Sequence, residues 1–180
     1  IVFLVSIFSI LIKNYKILNQ KVKFHKFEAK KYYEKAIKDP LTGAHNRQYL
    51  KEKLKILKGE YFLIVVDLDD FKEINDNFGH LLGDKVLKRV YKNIKKIISK
   101  NDYCFRIGGD EFLVILTNSS KKSANKVKNK INKSINKKIR FNHCDINIKT
   151  SLGFYKKDKN ESFDKAFEKA DNLLYESKKK

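Results

Sequence analysis

The chain has 180 residues, enough for one domain with an appendage, and its 41 Lys and Arg against 21 Asp and Glu give a formal net charge of +20. Such a charge would suit a nucleic-acid binder, but the only arginines are Arg47, Arg89, Arg106 and Arg140, and the lysines and asparagines are spread over nearly every segment. Base readout favours the forked, stacking guanidinium, so nucleic-acid binding is not expected. Cys104 and Cys144 have no Cys-x-x-Cys spacing, which fits reduced cytosolic thiols, and His143-Cys144 would be at most half of a metal site.

The first residue is Ile rather than Met, as expected of a piece of a longer protein. Ile1 to Ile12 is apolar apart from Ser6 and Ser9. A bilayer-spanning helix needs about 20 such residues. The segment is therefore expected to be the cytoplasmic end of a transmembrane helix or, failing that, a buried helix packed on the domain. Lys13, Lys16, Lys21, Lys23 and Lys26 follow, as the positive-inside rule requires. Leu11, Tyr15, Leu18, Val22, His25, Ala29, Tyr32 and Ala36 then recur in steps of four and three, a heptad seam. Residues 13–38 read either as a dimerising stalk or as a solvated helical connector.

Asp39-Pro40 stops that helix, because Pro disfavours helix in the residue before it, and marks the start of the main domain. Asn46 caps a helix carrying Leu50, Leu54 and Leu57, ended by Gly59. Tyr61 to Val66 is a continuous apolar run, a buried strand, that delivers Asp67 and Asp69 on one face. Phe71 to Phe78 is a short helix or loop broken at Gly79-His80. A longer helix then places Leu82, Val86, Val90, Ile94 and Ile97 inward.

Two strands, Tyr103 to Ile107 and Glu111 to Thr117, flank the turn Gly108-Gly109-Asp110. Two glycines there allow a tight, open hairpin and the close approach of a ligand. Ser119, Ser120 or Ser123 caps a helix with Ala124, Val127, Ile131 and Ile135 on one stripe. Ile146, Ile148, Thr150 and Leu152 alternate as a strand. Ser162 caps a last helix with Phe163, Ala166, Phe167, Ala170, Leu173 and Leu174 inward. The order predicts an α+β domain, a sheet flanked by helices with the Gly-Gly hairpin at its centre, preceded by the N-terminal helix.

If the strands carrying Asp67 and Asp110 are neighbours, their carboxylates converge. Carboxylates plus a backbone carbonyl suit Mg²⁺, which shares its shell with substrate phosphates. Lys72 could reach a terminal phosphate, and backbone N–H groups around Asp70 and Phe71 could cradle another. Asn75 and Asp84, an amide and a carboxylate, match a base edge that offers both donors and acceptors, as guanine does. The competing reading is that these acids only solvate strand ends and cap helices.

These residues carry a resemblance. Asp39-Pro40-Leu41-Thr42-Gly43, Asn46-Arg47, Asp67-Leu68-Asp69-Asp70-Phe71-Lys72-Glu73-Ile74-Asn75-Asp76, Phe78-Gly79-His80, Gly83-Asp84 and Arg106-Ile107-Gly108-Gly109-Asp110-Glu111-Phe112 resemble the GGDEF-type diguanylate cyclases. Ser151-Leu152-Gly153, Ala170-Asp171, Leu174-Tyr175 and Lys178 fit the later signatures. The resemblance implies a palm-like fold of the nucleotidyl cyclase or ferredoxin-like kind. It implies condensation of two GTP into cyclic di-GMP, with loss of two pyrophosphates, between two domains that face each other. It assigns Asp67, the Leu68 carbonyl and Asp110 to Mg²⁺ (or Mn²⁺), and makes Asp110 a helper in deprotonating the hydroxyl. Glu111 would support the turn and the metal site. Lys72 and Lys178, with the Asp70 and Phe71 amides, would hold phosphates. Asn75 and Asp84 would hold guanine, and Gly109 would admit the nucleotide.

A homodimer is then expected, attached to the bacterial inner membrane through the N-terminal helix with the catalytic domain in the cytoplasm. If that segment is not a span, the protein is expected to be soluble and cytoplasmic. Two departures from the family pattern stand out. Ser99 replaces the Arg of the product-inhibition Arg-x-x-Asp that would end at Asp102, so feedback by cyclic di-GMP there is expected to be absent. The usual Gly-Arg-Asn and closing strand do not follow Lys180. The alternative function is a catalytically silent GGDEF-type module that binds GTP or a protein.

Overall fold

The computed structural model describes residues 2–141 and 144–179, with the side chains of residues 8, 11–138, 140 and 145–179 among them. His143 and the Cys144 side chain, the possible half metal site, lie outside that description. The chain forms two compact units, Ile1–Ile37 and Lys38–Lys180.

The first unit is one helix, α1 (Val2–Ala36). Its sequence has no Gly or Pro, the two residues that disfavour a helix interior most, and it stops short of Pro40. The seam residues Leu11, Tyr15, Leu18, Val22 and Tyr32 are all exposed. No helix among the described residues is long and apolar enough to cross a membrane.

The second unit is an α+β domain. Its elements are α2 (Arg47–Ile56), β1 (Tyr61–Leu68), α3 (Phe71–Phe78), α4 (His80–Ile97), β2 (Tyr103–Arg106), β3 (Glu111–Thr117), α5 (Lys121–Ile135), β4 (Lys137–Phe141), β5 (Cys144–Ile148), β6 (Thr150–Lys157) and α6 (Phe163–Lys178). The main sheet is antiparallel in the order β2-β3-β1-β6, with β4 and β5 as a separate ribbon. β1 is buried along its whole length, because it lies between two strands and under helices on both faces. That explains its continuous apolar run. Ile64, Val66 and Leu68 pack with Val86, Val90 and Ile94 of α4 and Ile131 and Ile135 of α5. Leu63 and Val65 point the other way, to Leu50 of α2 and Ala166, Ala170 and Leu174 of α6. At roughly 1.5–3 kcal/mol per fully buried large aliphatic side chain, this double-sided strand holds the two layers together.

Several expectations need correction. The Gly-Gly hairpin is not central: β2 is an edge strand, and β3 and β1 form the middle. β1 runs to Leu68, so Asp67 is inside the strand and only 7% exposed. The helix begun at Asn46 ends at Leu57, before Gly59. Leu173 faces solvent, leaving Ala166, Ala170 and Leu174 as the buried stripe of α6.

The alternating run through Ile146, Ile148, Thr150 and Leu152 is two strands in two sheets, interrupted at Lys149. The break has local causes. The Lys149 carbonyl accepts from Asp69 N at 3.0 Å. Asn136 Oδ1 accepts from Thr150 N at 2.7 Å and Oγ1 at 3.0 Å, which turns the chain into the main sheet.

Candidate active site

The acids meet where β1 and β3 run out toward the turn. In the antiparallel register Asp67 faces Glu111, so both side chains leave the sheet on the face covered by α6. The C-terminal turn of α6 brings Lys178 over them, with Nζ 2.7 Å from Asp67 Oδ1. The approach is that of an ion pair: Oδ1 is buried and accepts no aligned hydrogen bond. Burial works against the Lys178 charge, but Asp67, with Asp69 and Asp110, keeps its pKa above the ordinary value.

Asp110 and Glu111 are raised as well, which for an acid disfavours the charged form. Burial pushes the Asp110 carboxyl up, and the Asp67 charge pushes it further. Glu111 is raised by burial first, then by Asp67, Asp110 and Asp171. These acids compete for charge, and a cation among them would relieve the competition.

The turn is held from two sides. A Cβ on Gly108 would lie 2.4 Å from Glu111 Oε2, whereas one on Gly109 would meet nothing within 4 Å. Neither residue is among the positive-φ glycines. Glu111 thus folds beneath Gly108 and fills the space a side chain there would take, and Gly109 leaves the outer side open. Arg106 Nη2 and Nε donate to the Gly109 carbonyl at 2.7 and 3.2 Å.

The stretch after β1 forms the second part. Asp70 sits in the left-handed region (φ 55°, ψ 29°) before α3, and its side chain makes no cap hydrogen bond. A left-handed residue leading into helical ones can curl successive N–H groups into a concavity of the kind that binds anions, the geometry expected of the Asp70 and Phe71 amides. Lys72 is exposed. Asn75 on α3 and Asp84 near the start of α4 are half-buried on two helices packed together. Asp69 borders a groove with Lys128 and Asn132 of α5 and Asn136 just after it, and its buried Oδ1 has no hydrogen-bond partner among the described residues.

Among the described residues no three His, Cys, Asp or Glu side chains are gathered as a metal cluster. The expected set is smaller: two carboxylates, Asp67 and Asp110, with the Leu68 carbonyl. Its chemistry fits a hard cation. A buried carboxylate oxygen without an aligned donor suits such a site, and the Lys178 ammonium holds that position here.

Three residues had no assigned role from sequence. Asp39 was read as a domain boundary, yet it accepts from Thr42 N and Oγ1 at 2.8 and 2.6 Å and from Arg106 Nη1 at 3.0 Å. His45 joins the same loop to β2: its N donates to the Cys104 carbonyl, and its carbonyl accepts from Arg106 N. Asp171 of α6 lies close enough to raise Glu111.

The sequence model of one protein family, described as "Diguanylate cyclase, GGDEF domain", matches residues 36–180. Diguanylate cyclase DgcP of Pseudomonas aeruginosa is 36% identical over 154 residues, covering 81% of this chain and 23% of that protein. The chain thus spans about a quarter of that relative's length. Among solved structures, diguanylate cyclase SiaD of Pseudomonas aeruginosa, in complex with its activator SiaC, superposes with a TM-score of 0.80 at 28% identity. The match covers 94% of this chain and 68% of that one. The coiled coil and GGDEF domain of DgcB from Caulobacter crescentus, in complex with c-di-GMP, has the same fold with a TM-score of 0.81 at 24% identity, covering 89% and 90%.

Proposed function

The chain belongs to the GGDEF diguanylate cyclase domain family, and from that premise we propose that it condenses two GTP into cyclic di-GMP, releasing two pyrophosphates. The observation that carries this is the pairing of Asp67 with Glu111 across β1 and β3, beside an intact Gly-Gly-Asp turn and under Lys178.

Each domain of a homodimer holds one GTP. Asn75 and Asp84 take guanine, an amide and a carboxylate against its acceptors and donors. Lys72, Lys178 and the Asp70 and Phe71 amides take the phosphates, as charge-assisted donors do. Asp67, Asp110 and the Leu68 carbonyl would hold Mg²⁺ or Mn²⁺, which when bound neutralises phosphate charge and lowers the pKa of a bound hydroxyl. The 3′-hydroxyl of one GTP attacks the α-phosphate of the other, and pyrophosphate leaves. Asp110 assists in deprotonating the hydroxyl. Glu111 braces the turn from below, and the open side of Gly109 admits the nucleotide. The reaction runs twice, once from each half-site.

The exposed seam of α1 pairs two chains and so raises the local concentration of the second half-site.

The test is incubation of the full chain at high concentration with GTP and Mg²⁺, following pyrophosphate and cyclic di-GMP, with Asp110→Ala as control. Product from the wild type alone supports the cyclase. GTP binding without product would make the chain a silent nucleotide-binding module.

A further inference from the structure

We infer that Gly83 is a positioning residue for the nucleobase, acting through Asn75; the inference rests on the proposed GTP site. Gly83 is buried in the first turns of α4, facing α3. A Cβ built on it would lie 2.0 Å from Asn75 Oδ1, 3.0 Å from Asn75 Cγ and 3.1 Å from Phe71 Cζ. The Asn75 carboxamide fills the space that a side chain would need.

No torsional demand explains this glycine. Gly83 is not among the positive-φ glycines, and a helix interior favours almost any other residue over Gly. What requires Gly is the seat of the amide. The backbone of α4 acts as a floor against which one end of the Asn75 carboxamide rests. The other end carries no hydrogen bond within the described residues, so it is free for a ligand. Asp84, the next residue, adds a carboxylate from the same turn. The amide thus rests on the same short piece of α4 backbone that carries the carboxylate. A base edge carrying both an N–H and an acceptor fits that arrangement.

The clash in a Gly83→Ala chain falls only on the far ends of movable side chains, Asn75 and Phe71. The helices can therefore stay in place while the amide is displaced by about an ångström. A binding site tolerates only about half that. The expected outcome is selective damage: a folded domain with a misplaced Asn75.

The experiment is calorimetric titration with GTP and with ATP of four full-length chains: wild type, Gly83→Ala, Asn75→Ala and the double variant, each checked by thermal melting. Gly83→Ala is expected to melt at or above the wild-type temperature, to bind GTP roughly tenfold more weakly, and to lose preference for GTP over ATP. The double variant is expected to bind like Asn75→Ala alone, because the methyl has no amide left to displace. Unchanged GTP affinity in Gly83→Ala overturns the inference, as does an additive loss in the double variant. A Gly83→Ala chain that does not fold also overturns it, since the displaced atoms are then not free to move. A wild type that binds no GTP removes the proposed site itself, a separate result from a wild type that binds and a variant that binds equally well.

Discussion

Arg106 joins Asp39 to the glycine turn. Its Nη1 lies 3.0 Å from Asp39 Oδ1 and 3.2 Å from Oδ2, while Nη2 holds the Gly109 carbonyl at 2.7 Å. One planar fork thus ties the loop that opens the domain to the turn that carries Asp110. Burial raises the Asp39 carboxyl, but hydrogen bonds from Thr42 and the Arg106 guanidinium outweigh it and hold the pKa below the ordinary value. A lowered folded pKa stabilises the domain fully above the unfolded value of about 3.9. That contribution is lost as pH falls through the folded value. Arg106→Lys keeps the charge but cannot serve both partners. It is expected to lose about 1–3 kcal/mol of unfolding free energy near neutral pH, to lose part of the acid dependence below about pH 4, and to impair product formation. Urea denaturation from pH 3 to 8, alongside pyrophosphate release, checks all three. Wild-type stability in Arg106→Lys would remove the clamp.

Much of this architecture was legible because the patterns were local. Tyr61 to Val66 announced a strand covered on both faces, and the Asn46, Ser120 and Ser162 caps sit where a short polar residue precedes an apolar stripe. What was not legible depended on distant partners. The alternation of Ile146, Ile148, Thr150 and Leu152 continues smoothly across a change of sheet, because the change is made by Asn136 and by Asp69 N. β4 went unseen because Lys137, Lys138 and Arg140 hide it, as charged residues often do on an edge strand. The glycines of the turn were expected to supply a tight, open turn and close approach of a ligand; neither has a positive φ, and the space beside Gly108 is filled by the Glu111 carboxylate. Asp67 and Asp110 could be suspected together from sequence, but only the register shows Glu111 directly opposite Asp67.

The ion pair of Lys178 with Asp67 predicts a competition. With no nucleotide, the ammonium 2.7 Å from Asp67 Oδ1 occupies ground that a divalent cation needs. Lys178→Met removes that competitor and one phosphate contact together. Mn²⁺ titrated into the nucleotide-free variant, followed by paramagnetic resonance, is expected to bind several-fold more tightly than in wild type. GTP binding in the same variant is expected to weaken by about tenfold. Equal Mn²⁺ affinity would show that the pair and the ion do not share Asp67.

Asp102 has a structural duty that bears on feedback. Its Oδ2 accepts from Ser99 N and Oγ at 2.9 and 2.7 Å, and Oδ1 accepts from Thr117 N at 2.9 Å. Both oxygens are engaged in closing the loop between α4 and β2, and Ser99 brings no cation to a product phosphate. Adding cyclic di-GMP up to well above the enzyme concentration is therefore expected to leave the initial rate nearly unchanged. Asp102→Ala is expected to act on stability, costing about 1–3 kcal/mol because it strands the donors that the carboxylate serves. Strong inhibition abolished by Asp102→Ala in a fully folded protein would reverse this reading.

The seam of α1 makes the last prediction. Leu18 and Val22 lie on one stripe and are 60% and 42% exposed, an apolar surface that pays no dividend to an isolated helix. If that stripe pairs two chains, two acids on it place like charges against each other and against apolar neighbours. The Leu18→Glu, Val22→Glu chain is expected to sediment as a monomer where wild type is dimeric. Its specific activity should fall steeply at submicromolar protein and recover as concentration rises, since the half-sites must then meet by diffusion rather than by tether. GTP affinity per chain should not change, because the nucleotide groups all lie in the second unit. A variant that is monomeric yet fully active at every concentration would separate the stalk from catalysis.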